Sequence, residues 1–342
     1  MINKFTNGEL KAGAIFAGIG GFCKGFERWG INTLWAIEND KYAVSSYMHN
    51  CTNGVRVVSK GDEPADINYV SVKKSELEPV DVLHAGFPCQ SFSQAGNRKG
   101  FDDPRGQLFF QLMRLIDEFK DKKPSVLILE NAPYLKIGDG GSWFIEIVKA
   151  IRMAGYWFRD DNCAELDTFD LTKLPQKRNR LFMVAFSIDR FKNGRFTFPS
   201  KKDSSLKDIT RFIDFDGKLD DDSYYLPEQN RYFTMINKEI KEKFCLYQLR
   251  KYVVRTKEPG TCPTLTANMG LGGHNVPFIK DSKGIRKLTE YECLKLQGFD
   301  NFVFPHDVPR AKRYVQIGNS VAVPIADMLA CEIKKKIEKE RK

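Results

Sequence analysis

The sequence predicts an α/β fold, a doubly wound and mostly parallel sheet joined to a second, smaller unit that is irregular and β-rich. Three observations lead to this prediction. Short apolar runs alternate with helical patterns over the first 190 residues, each run ends in glycine, proline or polar residues, and the texture changes beyond about residue 190. Runs rich in Val, Ile, Leu and Phe are typical of strands buried in a parallel sheet. Ligands of such sheets bind beyond the carboxyl ends of the strands.

The apolar runs give the predicted strands in chain order. They are too short for helices and cover residues 12–18, 33–37, 80–87, 125–132 and 180–188. Residues 107–120 place Leu108, Leu112 and Phe119 on one face, which predicts an amphipathic helix. Past residue 190 charged, aromatic and turn residues mix without a clean period, and helical texture returns only at 288–299 and near the end of the chain.

Composition argues against several classes of protein. The net charge of +10 and the isoelectric point near 9.1 suit a polyanionic partner, although many soluble proteins without one share this excess. No run reaches the roughly 18 apolar residues of a membrane span, and the N-terminus lacks the apolar core of a signal peptide. The eight cysteines and four histidines are scattered without a CxxC pair, which suggests neither a zinc site nor a disulfide framework. We therefore expect an intracellular protein with no metal and no membrane segment.

The first run leads into a glycine-rich turn, Phe16-Ala17-Gly18-Ile19-Gly20-Gly21-Phe22. Glycines let the backbone pass close to a ligand and turn sharply into a helix whose first amides face the pocket. A plain strand-to-helix turn would have the same composition, and the spacing is not that of dinucleotide-binding enzymes. The next run, however, ends at Glu38, twenty residues after Gly18, where such folds bind ribose hydroxyls. Together the two features favour a cofactor that contains adenosine.

The octet Gly-Phe-Pro-Cys-Gln-Ser-Phe-Ser, residues 86–93, ends the third run. Pro88 restricts Phe87 to an extended backbone, which holds Cys89 just beyond the strand. Cys89 is either a small core thiol or a nucleophile that needs activation. The polar, basic loop 94–107 that follows could close over a substrate, which favours the nucleophile.

Two further strand ends carry charged residues. Glu130 closes the fourth run. Burying a carboxylate at the end of an apolar strand costs free energy unless the carboxylate faces a functional site, so Glu130 is a candidate acid or base. A solvent-facing strand end is the competing interpretation. Gln176, Arg178 and Arg180 alternate along an extended segment and could aim one way, to hold a phosphate or a base carbonyl. A salt-bridged strand entrance would account for them equally well.

Taken together, these segments resemble the DNA (cytosine-5)-methyltransferase family, in its prokaryotic restriction–modification type. The resemblance extends in family order over nearly the whole chain, through GDEPADI (61–67), RGQLFF (105–110), ENAP (130–133), QKRNR (176–180), PTLTAN (263–268), RKLTEYECLKLQGF (286–299) and QIGNSVAVP (316–324). Ala132 departs from the Glu-Asn-Val that the family more often has, but it alters a neighbour of the carboxylate and not the carboxylate itself.

The resemblance implies a mechanism. A cytosine would be flipped out of the duplex, and Cys89, aimed by Pro88, would attack C6. Glu130 would bind N3 and the exocyclic amine, while Arg178 and Arg180 would contact the base oxygen and a neighbouring phosphate. The methyl group of S-adenosylmethionine would pass to C5, leaving S-adenosylhomocysteine, with no metal.

The resemblance also implies binding residues. The cofactor would be held by Phe16, Gly18, Ile19, Gly20, Gly21, Glu38, Asn39, Asp66, Ile67, Pro88, Leu108, Asn319 and Ser320. The DNA would be contacted by Gln90, Ser93, Gln94, Arg98, Lys99, Arg105, Arg255, Thr266, Asn268, Gly272 and Gly273.

The resemblance implies a discontinuous catalytic domain, 1–189 with 305–342, and a target-recognition domain, 190–304. The expected partners are double-stranded DNA and a cognate restriction endonuclease without a stable complex, and the enzyme would be a cytoplasmic, nucleoid-associated monomer. A tRNA methyltransferase is disfavoured by Phe87-Pro88-Cys89, since such relatives tend to have a second proline before the cysteine. A catalytically inert DNA-binding relative is disfavoured because Cys89 and Glu130 are both present, and a nicotinamide-dependent oxidoreductase by the glycine pattern.

Overall fold

The computed structural model of the chain describes residues 9–51, 54–88, 101, 106–250, 253–271 and 275–341. The chain divides into two compact units. The first unit is Met1–Leu166, Asn179–Ser200 and Val323–Lys342, and the second unit is Asp167–Arg178 and Lys201–Ala322. The helices of the described residues are α1 (Gly21–Glu27), α2 (Lys41–Asn50), α3 (Leu108–Glu118), α4 (Ser142–Met153), α5 (Thr168–Leu171), α6 (Phe233–Glu239), α7 (Glu290–Leu296), α8 (Arg310–Asn319) and α9 (Val323–Arg341).

The first unit is built on a mostly parallel sheet. Its strands are β1 (Leu10–Ile15), β2 (Ile31–Ile37), β3 (Arg56–Val57), the ribbon β4 (Ser59–Lys60) and β5 (Glu63–Pro64), β6 (Val82–Gly86), β7 (Val126–Asn131), β8 (Tyr156–Trp157), β9 (Cys163–Asp167) and β10 (Asn179–Ser187). The main sheet has the order β3-β2-β1-β6-β7-β10-β8, with β9 beside β10. Strands β3 to β7 along this order pair in parallel, whereas β10 runs antiparallel to β7 and β8. The predicted α/β class with a mostly parallel sheet is confirmed.

The strands form where the sequence predicts them because their side chains are apolar on both faces. All six residues of β7 are buried, and β6 is buried at four of five positions. Helix α3 covers one face with Phe109, Leu112 and Ile116, inside the predicted range 107–120. Burial of each such side chain contributes roughly 1.5–3 kcal/mol. Helix α1 packs closely on α9, since a Cβ at Gly25 would lie 2.5 Å from the Asp327 nitrogen.

The second unit contains a small antiparallel sheet of short strands. These are β11 (Tyr247–Arg250), β12 (Val253–Thr256), β13 (Phe278–Lys280) and β14 (Ile285–Lys287), in the order β12-β11-β13-β14. The Arg286 guanidinium is 1% exposed and binds Asp281 and Glu292, each at 2.8 Å. A buried cation is tolerated only when it is paired in this way. The unit therefore depends on a buried ionic network as well as on apolar packing.

The observed units differ from the expected domain boundaries. Residues 167–178 and 305–322 lie in the second unit rather than with the parallel sheet, and residues 190–200 lie in the first unit. The cause is long-range contact within that unit: a Cβ at Gly270 would lie 2.2 Å from the Ala311 carbonyl oxygen of α8, and a Cβ at Gly318 would lie 2.1 Å from the Ala267 nitrogen. Helix α8 thus packs directly on residues 267–270. Among the described residues, no helix combines the length and the apolar character that a membrane crossing needs.

Candidate functional site

The carboxyl ends of four parallel strands meet at one edge of the first unit. Ile15 is paired with Ile37 and with Ala85, and Gly86 is paired with Glu130. The residues that follow β1, β2, β6 and β7 therefore emerge side by side. This edge is where the α/β fold places its ligands.

The turn after β1 has an unusual backbone. Phe16, Gly18 and Gly20 all have positive φ, at 56°, 55° and 85°. The left-handed region costs glycine nothing but costs a residue such as Phe16 of order 1–3 kcal/mol, a strain that clusters at functional sites. Gly20 then caps α1, whose first turn is buried at Gly21 and Phe22. A Cβ added at Gly18 would meet no atom within 4 Å, so space is open above the turn.

The carboxylate of Glu38, just beyond β2, is bound to that turn. Its Oε2 accepts from the Gly18 N–H at 2.9 Å, and its Oε1 accepts from the N–H groups of Asn39 and Asp40 at 2.9 and 3.0 Å. Burial raises the pKa of Glu38 above its ordinary value, and the three N–H donors oppose that rise. A carboxylate has about four lone-pair sites, so one acceptor site remains after these three bonds. Contact of Glu38 with a ribose hydroxyl stays a prediction.

Asp66 and Ile67 lie in the segment that follows the ribbon of β4 and β5. Asp66 Oδ1 accepts from the backbone and side-chain nitrogens of Asn68, both at 2.9 Å, and Ile67 is buried. Arg114 of α3 donates to the carbonyls of Ile67 and Val70, both at 2.9 Å. These bonds tie the Asp66 segment to the helix that begins at Leu108, so both lie on one rigid support.

Glu130 lies at the end of β7, 8% exposed, and faces Arg180 of β10. Arg180 Nε is 3.2 Å from Glu130 Oε1. A Cβ at Gly86 would lie 3.3 Å from Glu130 Oε2, so a larger residue on the neighbouring strand would have to displace the carboxylate by a few tenths of an ångström. The Glu130 carboxylate is therefore buried and ion-paired rather than turned to solvent, and its role as an acid or base stays a prediction.

Asn131 fixes the segment that leads to the cysteine. It is fully buried, and its Nδ2 donates to the Phe87 carbonyl at 3.1 Å, while its Oδ1 accepts from the Ala132 N–H at 2.8 Å. The Phe87-Pro88 segment is thereby tied to the strand that carries Glu130. Sequence reasoning missed Asn131, although its place directly after Glu130 was a signal that could have found it.

Arg178 and Arg180 do not share a set of contacts. Arg178 is 2% exposed and belongs to the second unit, where it donates to the carbonyls of Leu265 (2.7 Å), Gly318 (3.1 Å) and Ser320 (2.7 Å). Its guanidinium therefore fixes the backbone around Asn319, which is exposed, and Ser320, which is buried. The expectation that residues 176, 178 and 180 all aim one way does not describe these contacts.

The model of the family described as C-5 cytosine-specific DNA methylase matches residues 10–335. The chain belongs to the C-5 cytosine-specific DNA methylase family. The Type II methyltransferase M.Bsp6I of Bacillus sp. (strain RFL6) is 39% identical to this methylase over 330 residues, 95% of this chain and 99% of that one. M1.ScrFI of Lactococcus lactis subsp. cremoris is 32% identical over 334 residues, 96% of this chain and 79% of that one.

Solved structures show the same fold. An Entamoeba histolytica methyltransferase is 20% identical to this methylase, with a TM-score of 0.69 over 98% of this chain and all of that one. The S. pombe Dnmt2 methyltransferase is 18% identical, with a TM-score of 0.69 over 96% and 99% of the two chains. The resemblance seen in the motifs is confirmed, and membership of this family implies S-adenosylmethionine as methyl donor.

Several predicted site residues of the methylase lie outside the described residues. They are Cys89, Gln90, Ser93, Gln94, Arg98, Lys99, Arg105, Gly272 and Gly273. Of the other predicted DNA contacts, Arg255 and Asn268 are exposed and Thr266 is half-buried, all in the second unit. Within the described residues, no group of three or more His, Cys, Asp or Glu could hold a metal ion.

Proposed function

We propose that this methylase transfers the methyl group of S-adenosylmethionine to C5 of one cytosine in a specific short site of duplex DNA, as the modification enzyme of a Type II restriction–modification system. Relatives named as Type II methyltransferases cover nearly the whole chain and support the biological assignment. One structural observation carries the chemistry. Glu130, paired with Arg180, stands beside the Phe87-Pro88 segment that Asn131 ties in place, and that segment continues directly into Cys89.

The proposed cofactor-binding site lies at the carboxyl ends of the parallel strands in the first unit. The open space over Gly18, the remaining acceptor site of Glu38 and the carboxylate of Asp66 fit the ribose and the adenine of S-adenosylmethionine. Phe16, Ile19, Gly20, Gly21, Asn39, Ile67, Pro88 and Leu108 complete the proposed set in that unit. When bound, the cofactor supplies an electrophilic methyl group. Asn319 and Ser320 stay predictions from the family resemblance.

The proposed reaction begins with a base that has left the stack, because its C5 and C6 are covered inside a duplex. The Cys89 thiolate forms a bond to C6, and the electrons of the C5–C6 double bond move toward N3, where Glu130 supplies a proton. C5 becomes nucleophilic and gains the methyl group. Loss of the C5 proton to solvent, cleavage of the bond between Cys89 and C6, and return of the N3 proton to the Glu130 carboxylate restore the ring, the thiolate and the acid.

The two arginines have different proposed roles. Arg180 holds the Glu130 carboxyl in a fixed orientation and is our candidate for contact with the base oxygen. Arg178 positions the backbone of residues 318–320, since its contacts reach the carbonyls of Gly318 and Ser320. The second unit is proposed to recognise DNA, with Arg255, Thr266 and Asn268 as its described candidates.

Replacement of the nucleophile tests this mechanism. Cys89→Ala should abolish methyl transfer, because no bond to C6 can form, and should leave binding of duplex DNA intact. Cys331→Ala on helix α9 is the matched control and should keep full activity. On DNA with 5-fluorocytosine, which has no C5 proton to lose, the native enzyme should form a denaturation-resistant complex that Cys89→Ala does not form. Turnover by Cys89→Ala would contradict the covalent mechanism.

A further inference from the structure

The second unit contains a basic pocket with a volume of about 410 Å³. Residues of β11 and β12, the segment 256–264 and Lys177 line it. Its charged and amide side chains are those of Lys177, Gln248, Arg250, Arg255, Lys257 and Glu258. A volume in the range of roughly 300–1,000 Å³ is typical of ligand pockets. The basic pocket is therefore a concave site of ligand size within one unit of the protein.

The strand register brings the guanidinium groups together. Arg255 of β12 is paired with Gln248 of β11, and Arg250 lies two residues further along β11. Alternate residues of a strand, and residues paired across two strands, lie on the same face of a sheet. Lys177 joins them because its N–H donates to the Cys262 carbonyl at 2.8 Å and its own carbonyl accepts from Thr264 Oγ1 at 2.7 Å. Strand pairing and backbone hydrogen bonds therefore bring Lys177, Arg250 and Arg255 to the same pocket.

Positive charge in the basic pocket is largely uncompensated. Among the described residues that line it, the one carboxylate is Glu258, which lies 2.6 Å from Lys177 Nζ. Within the part of the chain that the structure describes, no ion pair or hydrogen bond holds the side chains of Arg250, Arg255 or Lys257. The pKa of Lys257 lies below its ordinary value, mainly because the side chain is partly buried and also because Arg255 and Arg250 repel its charge. A bound anion would relieve this repulsion.

We infer that the basic pocket seats phosphate groups of the duplex DNA backbone through Arg250, Arg255 and Lys257, independently of the base sequence. This inference rests on the proposed function, which makes duplex DNA the substrate. The shape of the site favours phosphate over a base edge. Phosphates protrude from a duplex and fit a concave site, whereas base edges lie inside grooves and are reached by protruding elements. Guanidinium groups match phosphate oxygens in a bidentate fork.

The salt dependence of DNA binding tests the inference. Each cation that contacts a phosphate of B-DNA makes the plot of log K against log salt steeper by about 0.9. Loss of one such cation should make the plot shallower by that amount and weaken binding at about 0.1 M salt by about eightfold. We expect this change for each of Arg250→Gln, Arg255→Gln and Lys257→Gln, equally on duplexes with and without the methylation site. Binding would be followed by fluorescence anisotropy of a labelled duplex in potassium chloride from about 0.05 to 0.2 M.

Two further variants of the same unit sharpen the test. Lys238→Gln on α6 removes an exposed positive charge outside the basic pocket and should change neither slope nor affinity. Glu258→Gln removes the carboxylate and releases Lys177, so it should steepen the slope and tighten binding. An effect in the pocket variants together with no effect of Lys238→Gln would separate a local contact from the general field of the protein.

Several results would overturn the inference. Unchanged slopes in all three variants, in an enzyme that methylates DNA, would remove the pocket from the interface and leave the proposed function intact. Loss confined to duplexes with the site would assign the pocket to base recognition. Equal binding of duplex RNA of the same sequence would assign it to another ligand. Failure of the unaltered protein to bind or methylate DNA would refute the proposed function itself.

Discussion

The pair formed by Glu130 and Arg180 gives the sharpest prediction about the first unit. The perturbation is a double-mutant cycle in which Glu130→Gln and Arg180→Gln are made singly and together. The two groups lie 3.2 Å apart, and their side chains are only 10% and 18% exposed. Each substitution removes one charge and keeps a side chain of similar length.

The magnitude follows from the distance and the burial. At an effective dielectric constant of about 20, two unit charges at this separation attract by about 5 kcal/mol, before desolvation is subtracted. Removing one member of a buried pair costs about 3–5 kcal/mol because the other charge loses its compensation. We expect each single variant to lose about 3 kcal/mol of unfolding free energy and the double variant about 4 kcal/mol, a coupling of about 2 kcal/mol.

The assay is urea unfolding followed by circular dichroism, with methyl transfer measured on the same preparations. Arg180→Gln should also lower kcat by about 10²-fold, because the proton donor loses its orientation. A cycle on Lys24 and Glu27, which lie 3.8 Å apart and more exposed, is the control and should show less than about 0.5 kcal/mol of coupling. A coupling of the Glu130–Arg180 pair as small as that would refute the reasoning.

Three other substitutions test single features of the first unit. Gly86→Ala should place a methyl group 3.3 Å from Glu130 Oε2 and lower kcat about 10- to 100-fold, with little change in urea unfolding. Asn131→Ala should leave the Phe87 carbonyl without its donor, cost about 1–3 kcal/mol of stability and reduce kcat; unchanged values of both would contradict its positioning role. Burial lowers the pKa of His84 to about 3 in the folded protein, whereas the pKa in the unfolded chain is near about 6.5. As the pH falls from about 6.5 toward about 3, the unfolded chain therefore binds a proton that the folded protein does not, and the free energy of unfolding falls by about 1.4 kcal/mol per pH unit. His84→Phe should remove that share of the slope in urea titrations between about pH 7 and pH 5.

The local sequence pattern was sufficient to predict the main apolar strands of the first unit. Its strands are apolar on both faces, so they appear in the sequence as short continuous runs, and Glu38 and Glu130 stand out because each carboxylate ends such a run. The sharp turn after β1 was predictable for a related reason, since a glycine cluster directly after a buried strand is typical of backbone that turns into a helix. The positive φ of Phe16 was not predictable, because no local preference favours it.

The local sequence pattern could not predict which distant segments pack together in the second unit, because long-range contacts determine this. The bonds from Arg178 to Leu265, Gly318 and Ser320 span 87 to 142 residues, and they place residues 167–178 and 305–322 in the second unit. The short strands β13 and β14 have three residues each, too few to show a period. Cys89 was identified by its motif alone and lies outside the described residues.

Bisulfite sequencing of genomic DNA tests the central claim most directly. The gene would be expressed in cells that lack cytosine methylation, beside Cys89→Ala as the inactive control. We predict that one cytosine in one short motif resists conversion throughout the genome in cells with the unaltered protein, and that every cytosine converts in the control. Complete conversion in cells that contain folded protein able to bind S-adenosylmethionine would contradict the assignment to DNA.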